Sequence, residues 1–152
     1  MLSMRYGKNK MQGEDIFQEG MIQIYNDLCQ FDSNRSNFST WSSRIMIHTA
    51  LRYLKKHNWA NSFSDIEESY DLYDSNENIF GQIAIKEMTL MLQKLPLGYR
   101  LVFNLYAIEG YSHKEIASQL NITVGTSKSQ LSKARKQLRH VLESQLNVSK
   151  HG

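Results

Sequence analysis

Residues 111–131 read YSHKEIASQLNITVGTSKSQL, a stretch that carries start signals for two helices separated by a short turn. Ser112 is a favourable N-cap residue, and Glu115 follows three positions later, so each side chain can satisfy a free backbone N–H of the first turn. Asn121 suits a tight turn, and Thr123 is placed to cap the second helix. The stretch therefore predicts a helix-turn-helix.

The second helix of this motif is predicted to be amphipathic. Its inward stripe would be Val124, Ser127, Leu131, Ala134 and Leu138. Its outward residues would be Thr126, Lys128, Ser129, Gln130, Ser132, Lys133, Arg135 and Lys136. Short polar and cationic side chains suit a DNA major groove, where Lys donates to guanine and Gln pairs with adenine. A solvated helical hairpin without a partner is the alternative interpretation.

Charge is unevenly distributed along the 152 residues, although the net charge is only +3. From Ser112 to the end the balance is +5, whereas residues 58–78 carry six carboxylates and no Lys or Arg. That acidic segment is rich in Ser, Asn and Asp and lacks helical periodicity, which indicates a linker. The predicted organisation is a domain at 1–57, a linker at 58–78, a second domain at 79–146 and a tail at 147–152.

Apolar residues recur at helical spacing in four further segments, which predicts an all-α fold of two small domains. The predicted helices cover residues 14–28, 38–56, 79–94 and 99–109. The first would pack through a stripe formed by Phe17, Met21, Ile24 and Leu28. Pro96 is expected to end the third helix, and Gly110 is placed to cap the fourth.

Several function classes are disfavoured by the sequence. No apolar run approaches the length of a membrane span and no signal-peptide pattern is present, so we expect a cytoplasmic protein that is not inserted in a membrane. Cys29 is the only cysteine and is expected to be a buried structural thiol. The histidines lack metalloprotease spacing, and neither a P-loop nor a nucleophile elbow occurs. We therefore expect no metal, no cofactor and no enzymatic activity.

Six short motifs occur along the chain in a characteristic order. They are GEDIFQEG at 13–20, FSTWSSRI at 38–45, Leu95-Pro96, EGYS at 109–112, EIA at 115–117 and GTSKS at 125–129. Each motif is weak alone, but their order, their spacing and the acidic segment between the second and third make the combination specific. Over nearly its whole length, the chain resembles bacterial RNA polymerase sigma factors of the extracytoplasmic-function class, within the sigma-70 superfamily.

The resemblance implies a division of labour between the two domains. The N-terminal domain, region 2, would bind the beta-prime clamp of core RNA polymerase and the promoter minus-10 element. The C-terminal domain, region 4, would bind the beta flap and read the minus-35 element. The implied partners are therefore core polymerase, promoter DNA and an anti-sigma factor.

The resemblance also implies roles for individual residues. Those facing the clamp would be Asp15, Gln18, Glu19 and Ile22. A loop formed by Ser33, Asn34, Arg35, Ser36 and Asn37 would capture an unstacked base of the minus-10 element, and the melted strand would follow Arg44, His48, Arg52 and Lys55. The minus-35 duplex would contact Thr126, Lys128, Ser129, Gln130, Ser132, Lys133 and Arg135.

Three departures from the family pattern are visible. Compared with that pattern, we expect about one helix of region 2 to be missing at the N-terminus, or the start to be internal. His48 stands where the family often has Asn. Ser127 occupies an inward position usually held by a β-branched apolar residue, and burial of its hydroxyl is expected to loosen the helix by about 1 kcal/mol.

Two alternatives to a sigma factor stay open at this point. One is a stand-alone helix-turn-helix regulator that needs no polymerase. The other is a sigma-like interaction module that acts as a decoy for an anti-sigma factor. The expected absence of one helix would favour the decoy, whereas the basic residues Arg44 and Arg52 oppose it.

Overall fold

The computed structural model describes residues 2–58, 62–63 and 85–149. The chain folds as two compact units, Met1–Ala60 and Asn61–Gly152. All regular structure in the described ranges is helical, which confirms the predicted all-α class. The division between the units falls inside the segment predicted as a linker, most of which lies outside the described residues.

Residues 2–58 of the first unit form three α-helices. They are α1 (Leu2–Tyr6), α2 (Lys10–Asp27) and α3 (Phe38–Asn58), with a short 3-10 turn at Leu28–Gln30 after α2. Asn9 caps α2, because its Oδ1 atom accepts the backbone N–H of Gln12 at 2.9 Å. This cap starts α2 at Lys10, before the start predicted at Glu14.

Helix α2 packs on α3 through a narrow stripe that contains a glycine. Ile16, Gly20 and Ile24 lie on this stripe at a spacing of four residues and are buried. A side-chain carbon at Gly20 would collide with Met46 Sδ, so the missing side chain leaves room for the Met46 side chain of α3. The core of the unit is completed by Tyr6, Ile47, Ala50, Leu51 and Leu54.

The predicted packing stripe of α2 is wrong apart from Ile24. Phe17, Met21 and Leu28 keep between 36% and 48% of their surface exposed. The helix carries two neighbouring apolar stripes, and periodicity alone favours the one with larger side chains. The smaller stripe is buried because it lets the helices approach closely, as dense packing requires. Cys29 is also exposed, so the expectation of a buried thiol is wrong.

The described part of the second unit contains four α-helices and a π-helical turn. They are α4 (Ile85–Lys94), α5 (Leu97–Phe103), the π-turn (Asn104–Ile108), α6 (His113–Leu120) and α7 (Val124–Ser149). Pro96 precedes α5, and Gly110 has a φ of +80° after the π-turn, so both act as expected at helix boundaries. No helix in the described ranges is long and apolar enough to cross a membrane.

Helix α7 lies against α4, α5 and α6, so most of the core residues of the unit contact it or its neighbours. Up to residue 144, its buried apolar residues are Leu131, Ala134, Leu138 and Leu142. The facing helices bury Met91, Leu92, Leu95, Leu101, Val102, Phe103, Leu105, Ile116 and Leu120. The position of α7 is therefore set by several helices at once.

A buried arginine joins the end of α4 to α5. The Arg100 guanidinium donates to the backbone oxygens of Leu95 at 2.9 Å and Gln93 at 3.3 Å. These are among the carbonyl groups that a helix leaves without partners at its C-terminal end. Burial lowers the pKa of Arg100 to about 10, and its hydrogen bonds keep the charged form in place.

Replacing Arg100 by methionine should destabilise the second unit. The carbonyl oxygens of Gln93 and Leu95 would lose a buried charged donor, which costs about 1–3 kcal/mol. Hydrogen exchange of the α4 and α5 amides across a urea series measures this loss. Lys94→Met is the matched control, because Lys94 is exposed on α4. Equal protection in the two variants would show that the Arg100 bonds do not stabilise the unit.

Candidate nucleic-acid interface

The helix-turn-helix is fixed by the capping residues that the sequence predicted. The Ser112 N–H donates to Glu115 Oε2 at 2.8 Å, and the Glu115 N–H donates to Ser112 Oγ at 3.2 Å, which completes a capping box. The backbone and side-chain hydrogen bonds from Ser112 lower the pKa of the Glu115 carboxyl. Asn121 turns the chain with a left-handed φ of 55°, and Thr123 Oγ1 accepts the N–H of Thr126 at 3.0 Å.

The inward stripe predicted for α7 is largely confirmed. Ser127, Leu131, Ala134 and Leu138 are all buried. Val124 is instead 40% exposed, because it is the first residue of the helix and precedes the packed segment. The phase of the helix was therefore predicted correctly.

The outward orientation predicted for Thr126, Ser129 and Gln130 is wrong, because all three are 6% exposed or less. The Thr126 hydroxyl pairs with Thr123 Oγ1 at 2.8 Å, and the Ser129 hydroxyl donates to the Thr126 backbone oxygen at 2.9 Å. Both hydroxyls are therefore engaged within α7 and its cap.

Gln130 is buried against α5. A side-chain carbon at Gly98 would lie 2.6 Å from Gln130 Oε1 and would also collide with the backbone oxygen of Ser62. Neighbouring elements thus cover α7 on more than one side. The prediction from a single amphipathic stripe allowed for only one covered side. The adenine contact inferred for Gln130 is not available in this arrangement.

The polar residues that remain accessible form one continuous surface of α7. Lys128 and Lys136 are exposed, and Ser132, Lys133 and Arg135 are partly exposed. Residues three or four positions apart are neighbours on a helix surface, and the pairs Lys128–Ser132, Ser132–Arg135, Ser132–Lys136 and Lys133–Lys136 join the five. We call this surface, made of Lys128, Ser132, Lys133, Arg135 and Lys136, the α7 basic face.

Ser127 does not weaken the motif as its hydroxyl suggested. The side chain is fully buried, and its Oγ atom lies 2.9 Å from Nδ1 of His113 on α6. A buried hydroxyl with a partner avoids most of the desolvation cost of an unpaired one. The expected penalty of about 1 kcal/mol is therefore not supported by the structure.

In the first unit, the predicted base-capturing segment is a loop between Phe31 and α3. Asp32 organises it by accepting the Asn34 N–H at 2.9 Å through its side chain and the Arg35 N–H at 3.1 Å through its backbone oxygen. Asn37 caps α3, because its Oδ1 atom accepts the Thr40 N–H at 2.8 Å. The side chains of Ser33, Asn34 and Arg35 are exposed, and Ser36 is partly exposed.

An aromatic cluster adjoins this loop and was missed as a site feature by the sequence analysis. The ring centroids of Phe31, Phe38 and Trp41 lie 5.3 to 5.6 Å apart, and Phe38 is 48% exposed. The available signal was the presence of Phe31 and Phe38 on either side of a polar loop.

The basic residues predicted for α3 all lie at the surface. Arg44, His48, Arg52 and Lys55 are exposed along the length of the helix. Since Ile47, Leu51 and Leu54 are buried on the other side, the exposed cations form a ridge above a packed core. We call Arg44, His48, Arg52 and Lys55 the α3 basic ridge.

The four residues predicted to contact the clamp share an exposed face of α2. Asp15, Gln18, Glu19 and Ile22 are all exposed. The Tyr53 hydroxyl of α3 donates to Asp15 Oδ2 at 3.2 Å, which orients that carboxylate. Burial, together with Asp15, raises the pKa of Tyr53, so the phenol stays protonated as a donor.

Family comparisons cover both units. Residues 2–60 match the family described as sigma-70 region 2, and residues 85–138 match sigma-70, region 4. The extracytoplasmic-function (ECF) RNA polymerase sigma factor SigW of Bacillus subtilis is 32% identical over 146 residues, which cover 88% of this chain and 77% of SigW. SigM of the same organism is 27% identical over 97% of this chain and 88% of its own length.

A solved structure shares the fold. The sigma factor RpoE of Bartonella quintana, crystallised with the anti-sigma factor NepR, aligns with a TM-score of 0.53 at 20% identity. The alignment covers 93% of this chain and 88% of that one. The two family matches and the 32% identity to SigW show that the chain belongs to the extracytoplasmic-function group of the sigma-70 family. It is a sigma factor that binds core RNA polymerase and directs promoter recognition, and proteins of this family are DNA-binding regulators rather than enzymes.

Proposed function

We propose that the sigma function is divided among three surfaces of this chain. The exposed face of α2 binds the polymerase clamp, the loop at 33–37 and the α3 basic ridge hold the minus-10 strand, and the α7 basic face binds the minus-35 duplex. The first unit would act as region 2 and the second as region 4, joined by the acidic linker at 58–78. The protein would act in the cytoplasm, where it meets polymerase.

The observation that carries this proposal most strongly is the α7 basic face. Four cations lie on one side of the second helix of a helix-turn-helix, beside a serine of intermediate exposure. Cationic side chains release counterions from DNA when they bind phosphates, and a helix with short polar side chains fits the major groove. Of the seven residues first assigned to the minus-35 element, Lys128, Ser132, Lys133 and Arg135 are retained in this proposal.

The minus-10 assignment is supported by two neighbouring features of the first unit. Capture of a flipped base requires a site that repays the loss of stacking. The partly exposed rings beside the loop provide aromatic surface, and the α3 basic ridge provides charges that can follow a single-stranded backbone.

An anti-sigma factor is a further proposed partner. The sigma factor of Bartonella quintana was crystallised with one, which supports the expectation for a chain of similar fold. The exposed apolar side chains of α2, including Met21, Ile22 and Tyr25, offer a surface of the kind that protein partners cover.

Core binding can be tested through the exposed polar residues of α2. The double variant Gln18→Ala and Glu19→Ala should weaken core polymerase affinity without unfolding the chain, because both side chains are exposed. Glu143→Ala is the control, since Glu143 is an exposed carboxylate on α7, in the other unit. Fluorescence anisotropy of labelled chain titrated with core polymerase measures both. Equal affinities of the double variant and the control would move the clamp contact away from this face.

Base readout and phosphate contact can be separated on α7. Lys128→Ala should lose about 1–3 kcal/mol of preference at one base pair if Lys128 reads a base edge, whereas Arg135→Ala should weaken all sequences alike and lower the salt slope by about 1. Gln130→Met is the control and should leave preference unchanged, because that side chain is buried. Holoenzyme affinities for promoter fragments with single substitutions in the minus-35 element measure these effects. A change of preference in Gln130→Met alone would contradict the assignment.

A further inference from the structure

A continuous set of side-chain contacts surrounds His113 in the second unit. The ring of Tyr106, in the π-turn, stacks on the His113 ring with a centroid distance of 4.3 Å and an interplanar angle of 19°. The His113 Nδ1 atom lies 2.9 Å from Ser127 Oγ on α7. The Arg135 guanidinium carbon lies 5.9 Å from the centroid of the Tyr106 ring. We call Tyr106, His113, Ser127 and Arg135 the His113 cluster.

The His113 cluster joins α7 to the rest of the unit at two positions. Ser127 is held in the first turns of the helix, and Arg135 is held two turns further along. Stacked rings and cation–π contacts depend on orientation as well as on distance. The His113 cluster therefore restrains the orientation of the α7 axis, and not only its separation from α6.

The π-turn at Asn104–Ile108 explains how Tyr106 reaches this place. The Glu109 N–H donates to the Asn104 oxygen, and the Tyr111 N–H donates to the Leu105 oxygen, each at 2.9 Å. These wide turns change the direction of side chains relative to a regular helix, and π-turns often occur where a protein acts. Here the change brings an aromatic ring against the first residue of α6.

We infer that His113 is a positioning residue for promoter recognition, which through Ser127 and Tyr106 sets the direction in which α7 presents Arg135 to the duplex. The inference rests on the role proposed for the α7 basic face. His113 acts through its neighbours and does not need to touch a base.

Charge around the ring gives this role a measurable signature. The cations that face His113 are Lys128 and Arg135 of α7, and the titratable group of the π-turn is Tyr106. Burial, followed by the charges of Lys128 and Arg135, lowers the pKa of His113 from its ordinary value of 6.5. In the free chain the fold thus disfavours the imidazolium, so stability falls as the pH drops below 6.5 toward the lowered pKa.

DNA binding should instead favour the protonated form of His113. Phosphates held by Lys128 and Arg135 place negative charge near the ring, which favours the imidazolium and raises its pKa. Proton uptake on binding means that promoter affinity increases as the pH falls, by less than the factor of about ten per pH unit that one coupled proton allows.

The test uses holoenzyme and a promoter fragment that carries the minus-35 element, with affinity measured from about pH 7.5 to about pH 6, the range in which histidine titrates. His113→Gln should bind about fivefold more weakly, the effect of one net hydrogen bond, and should lose the increase at low pH. Tyr106→Phe should retain both properties, because a phenyl ring still stacks. His140→Gln is the matched control on the exposed surface of α7 and should behave as the unaltered chain.

Three further measurements separate positioning from a loss of folding. Ser127→Ala should also weaken binding, and the double variant with His113→Gln should lose less than the sum of the two effects, since both remove the same bond. Histidine NMR of the full chain should give a His113 pKa below 6.5 that rises when promoter duplex is added. Circular dichroism confirms that each variant keeps its helices.

The outcomes distinguish this inference from the function on which it rests. If Lys128→Ala weakens binding while His113→Gln changes neither the affinity nor its pH profile, the inference is wrong and the α7 basic face stands. If Lys128→Ala and Arg135→Ala both leave affinity unchanged, the α7 basic face is not the DNA surface, and the inference falls with it.

Discussion

The burial of α7 on more than one side is the constraint on which the recognition unit depends. Helices α5 and α6 both pack against it, and the residues they cover include Leu131, Ala134 and Gln130. Only the surface that they leave open is available to DNA, and that surface is the cationic one. A helix fixed in this way presents Lys128 and Arg135 without paying a large ordering cost when it binds.

The same physical logic governs the first unit. Gly20 leaves room for the Met46 side chain between α2 and α3, and the packed pair holds the polar face of α2 and the α3 basic ridge on its outside. The Tyr53 hydroxyl, bonded to Asp15, links the proposed polymerase face to the helix proposed to follow DNA. In both units, helices packed through apolar residues carry polar residues on their outer side, where they stay accessible to partners.

Local signals were sufficient for the helix-turn-helix and for most helix positions. Ser112, Asn121 and Thr123 determine caps and a turn by short-range hydrogen bonds, so the sequence alone predicted them. Which residues of each helix are buried against its neighbours was not predictable in this way. Periodicity did not distinguish the two apolar stripes of α2, and it did not reveal that α5 buries Gln130. The contact between His113 and Ser127 joins residues fourteen positions apart and has no local signature.

The most direct test of this description of α7 is lysine acylation of the holoenzyme with and without promoter, read by mass spectrometry. Lys128 and Lys136, exposed on the α7 basic face, should become protected when promoter is bound. Lys86 and Lys94, exposed on α4, should react equally in both states. Unchanged reactivity of Lys128 and Lys136, or equal protection of the α4 lysines, would contradict the placement of this face on the minus-35 element.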